Sequence, residues 1–136
     1  MRNVKYDTRD LWRMDRDHYI HPWTDFATFK ETGSDVIAEG EGIYVYDSDG
    51  KRYIDGIGGL WCVNIGYGRE EMAECLAEQA RRICYYSTFT HLTTPPAAEL
   101  AAKLASLAPK DLNHVFYGTG GSIANDAAIR IVHFYF

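Results

Sequence analysis

Cysteine is scarce in this sequence. Only three occur in 136 residues, Cys62, Cys75 and Cys84. One therefore stays unpaired in any scheme, and no Cys-x-x-Cys is present, so neither a disulfide framework nor a zinc site is signalled. The thiols are expected to be buried. Long apolar runs are missing as well. Nothing approaches the ~18 consecutive apolar residues of a membrane span, residues 1–15 are mixed in charge without an apolar stretch, and the expected location is the cytoplasm. There is no basic excess: 14 Lys and Arg stand against 19 Asp and Glu, for a net charge of −5. The basic residues are scattered, which leaves no stripe to neutralise a run of phosphates and argues against nucleic acid as a partner. What is present is a globular composition, 46% hydrophobic and 14% aromatic, where a disordered chain would be poor in aromatics. The length suits about one domain able to bury roughly two-thirds of its unfolded surface.

The first 35 residues show no sustained periodicity and read as an irregular arm, with a short helix able to begin at Leu11-Trp12-Arg13-Met14-Asp15 and broken by His21-Pro22-Trp23-Thr24-Asp25. Strand-like alternation begins at Val36. Gly42-Ile43-Tyr44-Val45-Tyr46 and Lys51-Arg52-Tyr53-Ile54-Asp55 flank the turn-rich Asp47-Ser48-Asp49-Gly50, which predicts a β-hairpin. Asp47-x-Asp49-Gly50 has the start of a calcium loop but lacks the further oxygen ligand and the closing carboxylate that such a loop needs. Gly56, Gly58, Gly59, Gly66 and Gly68 then mark a stretch where the backbone approaches something closely or adopts conformations denied to other residues, a plain connecting loop being the alternative.

Helical spacing follows. Met72, Leu76, Ala80 and Ile83 form one face of a helix that is acidic at its start and basic at its end, as the macrodipole favours. A second helix opens at Thr94-Pro95-Pro96 and runs through Leu100, Leu104 and Leu107, with Glu99 and Lys103 ordered for an i,i+4 pair. Val115-Phe116-Tyr117 reads as a strand, residues 118–121 as a loop, and Ser122 as the opening of a third helix through Ala127, Ile131 and Tyr135. That helix has no stop signal, so the chain is expected to be truncated, with a strand, loop and helix forming half of a βαβ unit.

The segment from Val115 to Asp126 carries the clearest chemistry. The first N–H groups of a helix lack intrahelical partners and sit at the positive end of its dipole, so a phosphate can accept them. Gly120 and Gly121 allow close approach, and the Ser122 hydroxyl adds a donor. A helix-capping role for Ser122 is the alternative. Two other phosphate motifs are excluded by position: the only Gly-Lys pair, Gly50-Lys51, is followed by Arg52 where a Walker loop needs Ser or Thr, and Ile123 occupies the last glycine of a dinucleotide fingerprint.

With these residues in hand, the chain resembles the amino-terminal part of a class III aminotransferase, a pyridoxal-phosphate enzyme of fold type I that includes the omega-amino-acid and amine:pyruvate transaminases. The likeness covers nearly the whole chain: His21-Pro22-Trp23-Thr24-Asp25 in the arm, residues 42–55 in the hairpin, Gly56-Ile57-Gly58-Gly59-Leu60-Trp61-Cys62-Val63-Asn64-Ile65-Gly66, and the loop from Phe116 to Asp126. The resemblance implies an α/β fold, with an arm and small-domain hairpin over residues 1–60 and the start of a large cofactor-binding domain with an incomplete sheet over 61–136. It implies pyridoxal 5'-phosphate held by Gly120, Gly121 and Ser122. The family loop reads Asn-Ser-Gly-Ser-Glu-Ala-Asn, so Gly120 replaces a serine and Ile123 a glutamate.

The resemblance further implies an amine pocket lined by Trp61, closed by Trp23, and completed by Phe89, a residue lent to the neighbouring subunit of a homodimer or larger homo-oligomer. Core burial is the alternative for each aromatic. The implied reaction is that of a transferase moving an amino group from an amine or omega-amino acid to a 2-oxo acid such as pyruvate. Such chemistry needs a lysine to hold the cofactor and move a proton. Lys5, Lys30, Lys51, Lys103 and Lys110 fall in the arm, the hairpin or an exposed helix and its end, not at the position of that lysine, which the resemblance implies lies well beyond residue 136; no catalytic residue is assigned here, and this chain alone is expected to be inactive. A stand-alone remnant acting as a dimerisation or interaction module is the competing reading.

Overall fold

The computed structural model describes residues 6–136; residues 1–5, with Lys5 and the start of the arm, lie outside the described residues. The chain divides into two units within one helix, the first ending at Glu78 and the second running from Gln79 to Phe136.

The first unit opens with two helices in the arm, the first containing the short helix expected at residues 11–15 and ending before His21, the second not expected. α1 (Thr8–His18) begins because the Asp7 carboxylate accepts from the backbone N–H groups of Arg9 and Asp10, both at 3.0 Å. That satisfies two donors that a helix start otherwise leaves open. An ion pair between Arg13 and Asp10 at 2.8 Å adds local support. Asp25, read from the sequence as part of a helix-breaking segment, also starts a helix: its carboxylate caps α2 (Phe26–Thr32) through the Ala27 N–H at 3.0 Å.

β1 (Ile37–Glu41), β2 (Tyr44–Asp47) and β3 (Arg52–Ile54) form an antiparallel sheet in sequence order. Glu41 pairs with Tyr44, and Tyr44 in turn with Ile54. The register slips between Ile37 and Glu39, a bulge that bends the edge strand. The predicted hairpin is therefore present and is joined by a third strand. In its turn the Asp47 carboxylate accepts from the N–H groups of Asp49 and Lys51 at 3.0 and 2.8 Å and from the Tyr53 hydroxyl at 2.9 Å. Its oxygens serve the turn. The Thr8 hydroxyl donates to Asp49 at 2.8 Å and so ties α1 to the hairpin.

After the hairpin comes a four-residue turn, α3 (Gly58–Trp61), and then α4 (Glu70–Arg82), which starts and ends as its charge pattern predicts. The second unit holds α5 (Pro95–Leu107) and α6 (Gly121–Tyr135). Proline in the first turn of α5 costs no hydrogen bond, since that N–H would lack a partner anyway. On α6 Arg130 pairs with Asp126 at 2.8 Å, whereas among the described residues no ion pair joins Glu99 to Lys103. Residues 115–117, expected to be a strand, have no regular secondary structure. A strand exists by the ladder it shares with a neighbour, and among the described residues no strand lies beside them.

None of the described residues is fully buried. β2 is partly shielded along its whole length. The cysteines follow the same rule: Cys62, Cys75 and Cys84 are free and exposed, not buried as expected, because no layer within the chain covers the faces they occupy.

Candidate functional site

The start of α6 offers donors without acceptors. The first intrahelical bond is from the Ala124 N–H to the Gly120 carbonyl at 3.0 Å. Among the described residues the N–H groups of Gly121, Ser122 and Ile123 donate to nothing. Gly120 precedes the helix in an extended conformation, φ 178° and ψ 171°, and a Cβ on either Gly120 or Gly121 would meet only open space. Ser122 lies inside the helix and does not cap it, for no side-chain bond closes this terminus. Its hydroxyl is without a partner among the described residues. No acidic side chain occupies the first turn to repel an anion. Three backbone donors, a hydroxyl and the positive end of a helix dipole facing free space fit a phosphate group.

The three aromatic candidates are all exposed. Trp23 is fully exposed, and its φ is +60°. The segment around it is fixed on both sides: His21 Nε2 lies 2.9 Å from both Asp15 oxygens, its ring packs edge-on against Tyr19 at 4.6 Å, and Asp25 caps α2. Phe89 is 78% exposed, and its N–H donates to the Ser87 hydroxyl at 3.1 Å. Trp61 is also 78% exposed. Core burial within this chain is thus excluded for all three. Trp23 and Trp61 share the first unit without a ring contact between them, and Phe89 belongs to the second unit with the α6 loop.

Trp61 sits in an unusual backbone. Gly58, Gly59, Leu60 and Trp61 have φ values of 58°, 58°, 62° and 67° in succession, so α3 is a left-handed turn. Its bonds run from the Trp61 N–H to the Ile57 carbonyl at 2.9 Å and from the Cys62 N–H to the Gly58 carbonyl at 3.0 Å. Glycine takes this conformation freely, but a side-chain-bearing residue in it costs roughly 1–2 kcal/mol. Leu60 and Trp61 both bear that cost.

The Asp55 carboxylate anchors the turn. One oxygen accepts from the Ile57 N–H at 3.2 Å, and the other accepts from the Gly59 N–H at 2.7 Å and the Tyr67 hydroxyl at 2.6 Å. The Tyr67 hydroxyl, and behind it the turn's N–H groups, hold Asp55 below the usual carboxylate range. Asp55 in turn pushes Tyr67 above the usual phenol value. Reading the sequence singled out neither residue for the site. An available signal was an aspartate opening a glycine run, a position from which its carboxylate reaches backbone N–H groups two residues on.

The comparisons with known proteins agree with one another. The family described as aminotransferase class-III matches residues 29–136. A putrescine–pyruvate aminotransferase from Pseudomonas aeruginosa is 42% identical over 128 residues, which are 94% of this chain and 28% of that protein. A thermostable (S)-enantioselective omega-transaminase from Thermomicrobium roseum superposes with a TM-score of 0.93 at 42% identity, over 97% of this chain and 30% of that one. A third, at 34% identity and a TM-score of 0.86, covers 90% of this chain and 27% of its own. It is a thermostable omega transaminase variant engineered for asymmetric synthesis of enantiopure bulky amines. Its substitutions include a tryptophan changed to methionine and a phenylalanine to leucine, 28 positions apart. The chain therefore spans less than a third of the length of these relatives, its fold is part of the fold type I transaminase architecture, and it belongs to the class III aminotransferases.

Proposed function

We propose that this chain is the amino-terminal part of a pyridoxal-phosphate-dependent aminotransferase that moves an amino group from an amine or omega-amino acid to a 2-oxo acid such as pyruvate. The observation that carries the cofactor assignment is the unpartnered set of donors at the start of α6, in a chain of this family. Gly120, Gly121 and Ser122 would hold the cofactor's phosphate: the glycines admit it to the backbone N–H groups, and the Ser122 hydroxyl donates one further bond. When bound, the cofactor supplies an electron sink for negative charge developing at the amine-bearing carbon. The putrescine–pyruvate relative supports an amine donor and pyruvate as acceptor.

Trp61, Trp23 and Phe89 form the amine pocket in this reading. Its support is their exposure, the strained backbone at Trp23 and Trp61, and a spacing. Trp61 and Phe89 lie 28 positions apart, the interval between the tryptophan and phenylalanine replaced in the variant engineered for bulky amines. Phe89 serves the neighbouring subunit of a homodimer or larger homo-oligomer. Residues 1–60 belong to the small domain and 61–136 begin the large one. Lys30, Lys51, Lys103 and Lys110 are all exposed on the arm, the hairpin turn, α5 and its end. The family resemblance, not their exposure, is what assigns the lysine that holds the cofactor to the protein beyond residue 136, and in this reading the chain alone is inactive.

Cofactor dissociation, followed by absorbance in the protein that carries this chain, tests the cradle. Ser122→Ala should weaken retention by roughly 1.5–3 kcal/mol through loss of one charge-assisted hydrogen bond, while Asp47→Ala in the hairpin turn should retain cofactor as the wild type does. Equal retention in all three proteins would remove Ser122 from the cradle.

A further inference from the structure

We propose that Asp55 and Tyr67 are positioning residues of the amine pocket: together they hold the left-handed turn that presents Trp61, and so set how bulky an amine the site accepts. This inference rests on the reading of Trp61 as a pocket wall.

The turn does not hold itself. Leu60 and Trp61 are kept in a conformation that residues with side chains avoid, and such a conformation persists only where its surroundings over-determine it. Asp55 supplies the restraint at the turn's entry, taking the Ile57 and Gly59 N–H groups on its two oxygens. Its own N–H donates to the Ile43 carbonyl at 2.9 Å, which references the carboxylate to the hairpin. A Cβ on Gly59 would come within 2.7 Å of Val63 and 3.1 Å of the Tyr67 hydroxyl. The space at the turn is therefore already taken.

Tyr67 fixes the other side of the carboxylate. Its hydroxyl reaches Asp55 at 2.6 Å, and its backbone is clamped in both directions to Gly42: the Tyr67 N–H donates to the Gly42 carbonyl at 2.8 Å and the Gly42 N–H to the Tyr67 carbonyl at 3.1 Å. Its ring lies directly over Gly40 in β1, where an added Cβ would fall 2.6 Å from the ring. Trp61 is thus tied through α3, Asp55 and Tyr67 to the end of the sheet, and not to a free loop. Lone aromatic walls on loose loops discriminate poorly by size, because the loop yields to the larger substrate.

The experiment compares kcat/KM for a small and a bulky amine in the protein that carries this chain, loaded with cofactor. The proteins are the wild type, Trp61→Ala, Tyr67→Phe, the double variant Trp61→Ala/Tyr67→Phe, and Asp55→Asn. Tyr67→Phe keeps the ring over Gly40 and the backbone pair with Gly42, and removes only the hydroxyl. Trp61→Ala should shift the bulky-to-small ratio by about tenfold and Tyr67→Phe by about threefold in the same direction. The double variant should shift no further than Trp61→Ala, because Tyr67 acts through Trp61. Asp55→Asn, which leaves an acceptor for the turn but not the charge, should follow Tyr67→Phe and serves if the latter folds poorly. Amide hydrogen exchange read by mass spectrometry should be faster over residues 57–62 in both clamp variants, without a general increase elsewhere.

An effective Trp61→Ala beside an unchanged ratio in Tyr67→Phe and Asp55→Asn, or an additive double variant, would overturn the positioning role and leave the pocket reading intact. An unchanged ratio in Trp61→Ala would bring down the pocket reading and the inference with it.

Discussion

Leu60 and Trp61 carry side chains at a place where the backbone favours none, and this reverses an ordinary rule. Glycine normally destabilises a structured position by roughly 0.5–1 kcal/mol relative to alanine, because it has more freedom to lose. At the φ of 67° found for Trp61, alanine keeps the steric cost that glycine escapes. Trp61→Gly is therefore expected to be at least as stable as Trp61→Ala, by up to about 1 kcal/mol, in urea or thermal unfolding of the protein that carries this chain. An alanine variant clearly more stable than the glycine one would mean that the turn does not keep its left-handed form. The density of glycine around this turn was legible in the sequence. That two side-chain-bearing residues continue the same left-handed path was not, because no property of Leu60 or Trp61 itself favours it and the contacts around the turn, to the Asp55 carboxylate and the Tyr67 hydroxyl, appear only in the folded chain.

Elements whose signals are local could be read well. The apolar spacing and charge order of α4, the prolines of α5 and the glycines before α6 lie within each element, and each forms where those residues place it. The hairpin was equally plain from its alternation and turn residues. In the arm the helix starts rest on Asp7 and Asp25 as caps, and the sequence reading reached only the middle of α1, at Leu11-Trp12-Arg13-Met14-Asp15. The segment at Val115-Phe116-Tyr117 has strand-forming residues, but a strand also requires a partner. At the start of α6 the sequence left open whether Ser122 caps the helix, which depends on where the first turn begins: Gly120 takes the cap position and Ser122 lies inside the helix. The hairpin turn supplies its own prediction. Asp47 is held below the usual carboxylate range by the Lys51 N–H first, then by the Tyr53 hydroxyl and the Asp49 N–H. A carboxylate with a depressed folded value stabilises above its unfolded pKa, and that contribution disappears as pH falls through the folded value. Acid should therefore weaken the hairpin, and Asp47→Asn should flatten the dependence of unfolding on pH below about 4, the ordinary aspartate value. A wild type and an Asp47→Asn variant with parallel stability profiles over that range would show that the turn does not use the charge.

At the scale of the whole chain, the main observation is how much apolar surface is open. Trp61, Phe89, Phe134 and Phe136 are each more than three-quarters exposed, as is Trp23, and none of the described residues is fully buried, whereas a folded monomer keeps many of its apolar side chains fully buried. No helix among the described residues is long and apolar enough to cross a membrane, so a bilayer-spanning helix does not account for these surfaces. The isolated 136-residue polypeptide is expected to self-associate and to unfold without a sharp transition. Sedimentation velocity together with a thermal scan checks this, and a single monomeric boundary with a cooperative transition would refute it.

The clamp around Trp61 has a different standing from those open faces, because it is short in sequence. Gly42, Ile43, Asp55, the turn and Tyr67 follow one another along a single stretch, and the sheet that supports them is built only from neighbouring strands. Contacts between residues close in sequence form early, since little loop entropy has to be overcome first. This turn can therefore take shape while later residues are still leaving the ribosome, its left-handed path set before the rest of the chain is made.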